Sequence, residues 1–290
     1  MGCEPVNHGS GRIAVLGAGT MGHGIAQIAA LAGHDTALFD PDPEALARGR
    51  ERIEANLDKG VELGKVEAAD RDSALCRIRS GHSLEDTVRD AEIVIEAAPE
   101  RLELKQRLLA EVAELVEATT LLATNTSSLS ISAIASSVPG PERVVGMHFF
   151  NPVHIMSLVE IVRGDRTAHR AVERARGLAV GLGKTPIVVS DSPGFASSRL
   201  GIALGLEAIR MLEEGVAEAE DIDTAMTLGY RHPMGPLRLT DLVGLDVRLE
   251  IARYLNHELG GDRFRPPALL EELVAKGHLG KKTGQGFYEW

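Results

Sequence analysis

Beyond Arg12 the chain alternates apolar runs with amphipathic stretches. Residues 13–16 are apolar and rich in β-branched side chains, which predicts a buried strand; residues 25–32 predict a helix that Gly33 ends at its C′ position, and residues 36–39 predict a second strand. The rhythm then breaks. Residues 44–69 are polar and strongly helical with interruptions near Gly60 and Gly64, and read as a helical hairpin inserted in a sheet domain. Strands are predicted again at 78–79, 92–96, 121–124, 144–149, 158–162 and 186–189, with helices over 102–116 and 168–182. From Phe195 onward the pattern predicts helices only, at 195–215, 219–228, 239–259 and 267–276, separated by Gly- and Pro-containing segments. The fold class is therefore α/β: a mostly parallel sheet domain over residues 12–190 with the inserted hairpin, then an all-helical domain over residues 191–290. The boundary falls at Asp191-Ser-Pro-Gly194.

The first strand runs directly into Gly17-Ala-Gly19-Thr-Met-Gly22 and then into a helix, and Asp40 closes the second strand about 20 residues beyond the glycines. Each glycine has a physical task. Gly17 allows the tight turn, Gly19 lets backbone approach a pyrophosphate, and Gly22 lets the helix pack closely on the strand. The helix N-terminus adds free N–H groups and positive dipole for the phosphates. An acid at Asp40 suits the adenosine ribose hydroxyls and repels a 2′-phosphate, so the expected cofactor is NAD rather than NADP.

A formal net charge of −11 argues against nucleic acid or an anionic membrane surface as a partner. With only Cys3 and Cys76, no disulfide framework and no metal site is suggested, which fits a reducing compartment. No apolar stretch approaches the length of a membrane span, and the first eleven residues lack the basic and apolar segments of a signal peptide. Met1-Gly2 begins like a myristoylation site, but Val6 stands where that motif needs a hydroxyl. Residues 1–11 read as a short disordered lead, and the expected location is the cytoplasm.

A second informative segment is Met147-His148-Phe-Phe-Asn151-Pro-Val-His154, followed by Leu158-Val-Glu160. Oxidation of an alcohol needs a base for the hydroxyl proton as hydride leaves, and imidazole suits that task near neutral pH. His148 falls at the C-terminal end of an apolar strand, where α/β sheets bind ligands, and Glu160 can orient its ring and stabilise the imidazolium. A lone histidine beside aromatics has a structural reading as well.

Wider patterns strengthen the chemical one. Gly17-Ala-Gly-Thr-Met-Gly22, Glu96-Ala-Ala-Pro-Glu100, Asn125-Thr-Ser-Ser128, His148-Phe-Phe-Asn-Pro152, Pro193-Gly-Phe195, Asp221-Ile-Asp-Thr-Ala-Met226, His232-Pro-Met-Gly-Pro236 and Gly284-Gln-Gly-Phe-Tyr288 follow one another across nearly the whole chain. In these segments the sequence resembles the 3-hydroxyacyl-CoA dehydrogenase family, above all its short bacterial 3-hydroxybutyryl-CoA form. The resemblance implies a Rossmann-type NAD domain, a helical substrate and dimerisation domain, and interconversion of (S)-3-hydroxyacyl-CoA and 3-ketoacyl-CoA on short chains. It implies His148 as base, Glu160 as its acidic partner, and Ser127 as a hydroxyl on substrate. It also implies NAD contacts at Thr20, Met21, Glu100, Lys105, Asn125, Ser127, Asn151 and Lys282 beside the glycines and Asp40. Each has an ordinary reading too: Ser127 can satisfy turn backbone, Glu100 and Lys105 can pair on a helix start, Asn151 can shape the turn before Pro152, and Lys282 can be a solvated loop charge.

Arg48, Arg52 and Lys59 recur at helical spacing in the insert, and the resemblance implies that this insert covers coenzyme A, with Asn56 a loosely matched contact. Glu44, Glu51 and Glu54 make a mixed-charge solvated face an equal alternative. The resemblance implies a homodimer. One position departs from it. Family members read Pro-Gly-Phe, two residues, then Asn-Arg, and the asparagine helps hold the thioester; here Ser198 precedes Arg199, with a shorter reach and one donor. A related 3-hydroxyacid or carrier-protein-linked dehydrogenase, and a non-enzymatic NAD-binding protein, stand as the other readings.

Overall fold

The computed structural model describes residues 11–290, so the predicted lead, apart from Gly11, lies outside the described residues. The chain divides into two compact units, one up to Ser192 and one over Pro193–Trp290. The first unit opens with β1 (Ile13–Leu16), α1 (Gly22–Leu31) and β2 (Thr36–Phe39), then the helical insert α2 (Pro43–Glu62) and α3 (Ala68–Arg77). It continues through β3 (Ile78–Ser80), α4 (Leu84–Val88), β4 (Ile93–Glu96), α5 (Leu102–Leu115), β5 (Leu121–Thr124) and α6 (Ile131–Ala135). Then come β6 (Val144–Phe149), β7 (Leu158–Arg163), α7 (His169–Gly181) and β8 (Thr185–Ser190).

These strands form one eight-stranded sheet in the order β3-β2-β1-β4-β5-β6-β7-β8. Every neighbouring pair is parallel except β6 with β7. The central strands β1 and β5 are buried along their whole length, which explains why they read as unbroken apolar runs rather than alternating ones. β1 lies between β2 and β4, the point at which the strand order reverses, and sheets of this kind bind ligands just beyond their strand ends there.

The insert is the predicted hairpin, but its second helix runs to Arg77 rather than ending at 69. Asp42 caps α2 by accepting the Glu44 N–H at 2.9 Å, and Pro43 supplies the first helical residue. Its buried residues, Gly49, Ile53 and Leu57, recur every fourth position and turn one face inward. Gly49 is needed there: a Cβ would stand 2.8 Å from the Ala18 carbonyl oxygen, so the insert packs directly on the glycine loop.

The second unit contains α8 (Ser197–Glu213), α9 (Ala219–Thr224), a π-helical turn over Ala225–Gly229, α10 (Pro236–Val243), α11 (Leu245–Leu259) and α12 (Ala268–Ala275). The single helix predicted over 239–259 is thus two. Gly244 separates them at φ 107°, a backbone conformation that side chains resist, and an isolated glycine inside a periodic apolar pattern hides such a break. Ile202, Leu206, Leu237, Leu245, Leu249, Leu255 and Phe264 form the core. Buried Asp241 clamps the C-terminal segment by accepting the N–H groups of Phe287 and Tyr288 and the Trp290 indole N–H, each at 2.9 Å. Among the described residues no helix is long and apolar enough to cross a membrane.

Candidate active site

At the end of β1 the first and third glycines make the tight turn and the close helix packing that their spacing predicts. Gly17 has φ 102°, and a Cβ on it would lie 2.6 Å from the Ala97 carbonyl oxygen just beyond β4. A Cβ on Gly22, the first residue of α1, would collide with the Gly17 carbonyl oxygen at 1.7 Å. Gly19 differs: a Cβ there would meet nothing within 4 Å. The first and third glycines are therefore required by packing, whereas the second borders open space of the kind a pyrophosphate fills. Helix α1 has no acid in its first turn and no side-chain cap at Met21, so the residues fit an anionic group at this end. Thr20 is exposed on the loop. Asp40 accepts the Ala18 N–H at 2.8 Å through Oδ2 and the Asp42 N–H at 3.0 Å through Oδ1, tying the glycine loop to the end of β2.

A polar network occupies the ends of β4 and β5. Glu96, fully buried, accepts from Lys105 Nζ at 2.7 Å, the Ala98 N–H at 2.6 Å and the Thr124 hydroxyl at 2.5 Å. Lys105 is equally buried and also donates to the Ala98 carbonyl at 3.1 Å, with Glu100 Oε2 at 3.5 Å. Glu100 Oε1 in turn accepts the Thr126 hydroxyl at 2.6 Å, the Ser127 N–H at 2.9 Å and the Ser127 hydroxyl at 3.2 Å. Burial pushes the Glu100 carboxyl up, but Thr126, the Lys105 charge and the N–H groups of Ser127 and Ser128 outweigh it, so it titrates below the ordinary glutamate value. Asn125 Oδ1 accepts the Phe149 N–H at 2.9 Å and so ties the end of β5 to the end of β6.

His148 and Glu160 meet across the antiparallel β6–β7 pair. They are register partners, and Nδ1 lies 2.8 Å from Glu160 Oε2. Both are buried, and the Phe150 ring stands 4.5 Å from the imidazole. A buried carboxylate on one ring nitrogen fixes the orientation of the ring and favours a proton on that nitrogen. Asn151, exposed, precedes Pro152 through a cis peptide bond.

In the insert, the predicted basic residues part company. Arg48 pairs with Asp42 and Glu44, and Lys59 with Glu62, on an exposed surface, while Arg52 is exposed. Lys59 and Asn56 nevertheless line a cavity of about 690 Å³ in the first unit, together with Lys65, His154 and Lys184; Arg48 and Arg52 do not. Burial, with the charges of His23, Lys184 and Lys65, holds His154 below the ordinary histidine value. In the second unit, Lys282 Nζ pairs with Asp246 at 2.5 Å. Gly194 and Phe195, at φ 76° and 47°, turn the chain into α8, whose second residue is Ser198.

Residues 12–192 match the model of the 3-hydroxyacyl-CoA dehydrogenase NAD binding domain, and residues 194–290 match that of the 3-hydroxyacyl-CoA dehydrogenase C-terminal domain. The chain belongs to the 3-hydroxyacyl-CoA dehydrogenase family. It is 43% identical to a probable 3-hydroxybutyryl-CoA dehydrogenase of Deinococcus radiodurans, over 96% of this chain and 100% of that one. It is 45% identical to the 3-hydroxyadipyl-CoA dehydrogenase of Escherichia coli, over 96% of this chain and 58% of that protein. The crystal structure of (S)-3-hydroxybutyryl-CoA dehydrogenase PaaH1 from Ralstonia eutropha superposes with a TM-score of 0.93 at 41% identity, covering 97% of this chain and 99% of that one.

This member of the family is thus an NAD-dependent oxidoreductase acting on a secondary alcohol. Sequence reasoning missed Glu96, which holds Lys105, and Thr124, whose hydroxyl donates to Glu96. A signal was present: an acid ending the apolar run Ile93-Val-Ile-Glu96 in a central strand needs a buried partner. His154 and Lys184 of the cavity carried no comparable pattern.

Proposed function

We propose that this dehydrogenase interconverts short-chain (S)-3-hydroxyacyl-CoA and 3-ketoacyl-CoA, with 3-hydroxybutyryl-CoA and acetoacetyl-CoA as representative substrates. The observation that carries the reading is the buried His148–Glu160 pair at a strand end, an arrangement suited to proton transfer. Glu160 holds Nδ1, and Nε2 is the nitrogen that takes the proton of the 3-hydroxyl and returns it in reduction. The same carboxylate stabilises the imidazolium while it lasts. NAD, when bound, supplies the acceptor for the hydride at C3. Gly17, Gly19, Thr20, Met21 and Gly22 hold its pyrophosphate and Asp40 its ribose, with Glu100, Lys105, Asn125, Asn151 and Lys282 as further contacts or supports. Ser127, positioned by Glu100, gives a hydrogen bond to the substrate oxygen, and Ser198 gives another.

Coenzyme A is held by the insert through Asn56 and Lys59, whose cavity carries the positive groups its phosphates need, with Arg48 and Arg52 contributing from the same helix. The working form is a homodimer, formed by the exposed apolar residues of the helical unit, in the cytoplasm and within fatty-acid β-oxidation or its reverse. The test is a spectrophotometric assay of NADH oxidation with acetoacetyl-CoA. Turnover that His148→Gln removes is expected; absence of turnover in a protein that binds NADH overturns the reading.

A further inference from the structure

The cavity of about 690 Å³ beside the insert is charged on one side only. Its lining includes Lys59, Lys65, His154 and Lys184 and no acid at all, in a chain whose formal net charge is −11. Lys59 is answered by Glu62 at 2.7 Å. Lys184 Nζ donates to the carbonyls of Val153 at 2.5 Å and Met156 at 2.8 Å, which leaves its charge without a carboxylate. Lys65 and His154 have no ion-pair partner among the described residues. Cations gathered in a cavity without counter-charge suit an anionic group, and Leu31, Leu63 and Ile155 give the same space an apolar wall.

His154 stands in the turn between β6 and β7, and two contacts fix that turn. Gly24 of α1 packs against it so closely that a Cβ there would lie 2.8 Å from Val153 Cβ, and Lys184 ties the carbonyls on both sides of His154. The imidazole itself is exposed, so ligand and water reach it. Desolvation and then His23, Lys184 and Lys65 act on it, every one of these charges positive, and together they hold it below the ordinary histidine value. In the empty cavity at neutral pH the ring is therefore uncharged and offers one N–H. As imidazolium it would offer two, with a charge. An anion brought beside it reverses the balance, because a neighbouring opposite charge makes such a proton about 10- to 1000-fold harder to remove.

We propose that His154 binds a phosphate of coenzyme A as imidazolium, so that capture of the substrate takes up a proton at this residue. The proposal rests on the dehydrogenase reading above, which seats coenzyme A beside Asn56 and Lys59, and it adds the pH dependence of that seat. The proton comes from solvent and goes to the ring nitrogen that carries none, and Lys65 and Lys184 hold the same anion without titrating. The sign follows from linkage: the ring's pKa is higher with ligand than without, so the added affinity is complete below the free value and is lost as the pH rises through the bound one. The phosphate has two sources in one ligand, the 3′-phosphate and the pyrophosphate.

The experiment titrates the full chain calorimetrically with CoA and with dephospho-CoA, which lacks the 3′-phosphate, between pH 6 and pH 9 in buffers of unlike ionisation enthalpy. Wild type, His154→Gln and His154→Lys are compared. On binding CoA at pH 7, wild type should take up about half a proton more than His154→Gln. Its Kd should be roughly tenfold below that of His154→Gln at pH 6 and equal to it by pH 9. Comparing the two proteins cancels the titration of the phosphate itself, which loses its second proton near about pH 6. His154→Lys, a cation throughout, should bind CoA tightly across the range with no more proton uptake than His154→Gln. NADH binding should be the same in all three, because the cavity borders the later turns of α1 and not the glycine loop at its start. Loss of the wild-type advantage with dephospho-CoA assigns the group to the 3′-phosphate, and its retention assigns it to the pyrophosphate. Equal proton uptake by wild type and His154→Gln, or a Kd ratio that does not change with pH, overturns the proposal while turnover of acetoacetyl-CoA keeps the dehydrogenase reading. Neither CoA binding nor turnover, despite NADH binding, overturns both.

Discussion

His148 and Glu160 are partners in strand register, with Nδ1 and Oε2 2.8 Å apart across the antiparallel β6–β7 pair. The orientation of the imidazole is therefore set by sheet geometry and not by a loop, and a slip of one residue would send one of the two to the opposite face. His148→Gln is expected to lower kcat by roughly 10²–10⁴, the range for loss of an acid–base group, while NADH binding by fluorescence titration stays within about twofold. Glu160→Gln keeps the shape but removes the charge that supports the imidazolium, so kcat should fall there as well. Near-normal turnover in the histidine variant removes His148 from the chemistry.

Asp40 serves the glycine loop, and the ribose role proposed for it would use the acceptors that the loop leaves over. Its carboxylate already accepts the N–H groups of Ala18 and Asp42, which uses two of about four acceptor positions and leaves two for hydroxyls. Asp40→Ala should weaken NADH binding about tenfold or more, the scale of a hydrogen bond to a charged group, and narrow the preference over NADPH. Calorimetric titration of both nucleotides checks this, and a wild-type preference for NADPH contradicts the role given to Asp40.

Lys105 stands fully buried between Glu96 and Glu100, so its removal strands a carboxylate where water cannot reach. Lys105→Met should destabilise the protein by about 3–5 kcal/mol in urea unfolding, and Glu96→Gln added to it should recover part of the loss. The neighbouring Glu100 supplies the pH dependence. Its folded pKa lies below the ordinary 4.5, so its contribution to stability is present above that value and is lost as the pH falls through the folded pKa. Glu100→Gln should therefore lose stability at neutral pH and show a shallower acid limb below about pH 4.5 than wild type. An unchanged acid limb would count against the hydrogen bonds from Thr126, Ser127 and Ser128 as its cause.

The strand at Ile13–Leu16, the glycine loop and Asp40 were legible because each is a local pattern with a local physical cause. The pairing of His148 with Glu160 was expected from the chemistry and the family resemblance and not from periodicity, because it depends on β7 running antiparallel to β6, which no short-range pattern encodes. The short helices α4 and α6 went unread since five residues carry too little periodicity to announce a helix. Lys105 looked like a helix-surface charge because sequence records its neighbours on α5 and not Glu96 at the end of β4.

The helical unit leaves an apolar surface open. Leu239, Leu242 and Val243 recur at i, i+3 and i+4 on α10 and are exposed, and Leu228 and Tyr230 after α9 are 78% and 75% exposed. An exposed apolar helix stripe suits a second copy, and in a twofold dimer every such residue is buried twice. Burying a leucine side chain is worth about 1.5–3 kcal/mol, so Leu228→Ser, counted on both copies, should weaken a dimer by about 3–6 kcal/mol, or roughly 10²–10⁴ in Kd. Sedimentation velocity across a dilution series measures this directly. The wild type should sediment as a dimer at micromolar concentration and Leu228→Ser as a monomer, with the melting temperature of the isolated chain little changed because Leu228 touches solvent there. A monomeric wild type, or a variant whose dimer is undiminished, would remove this surface as the dimer contact.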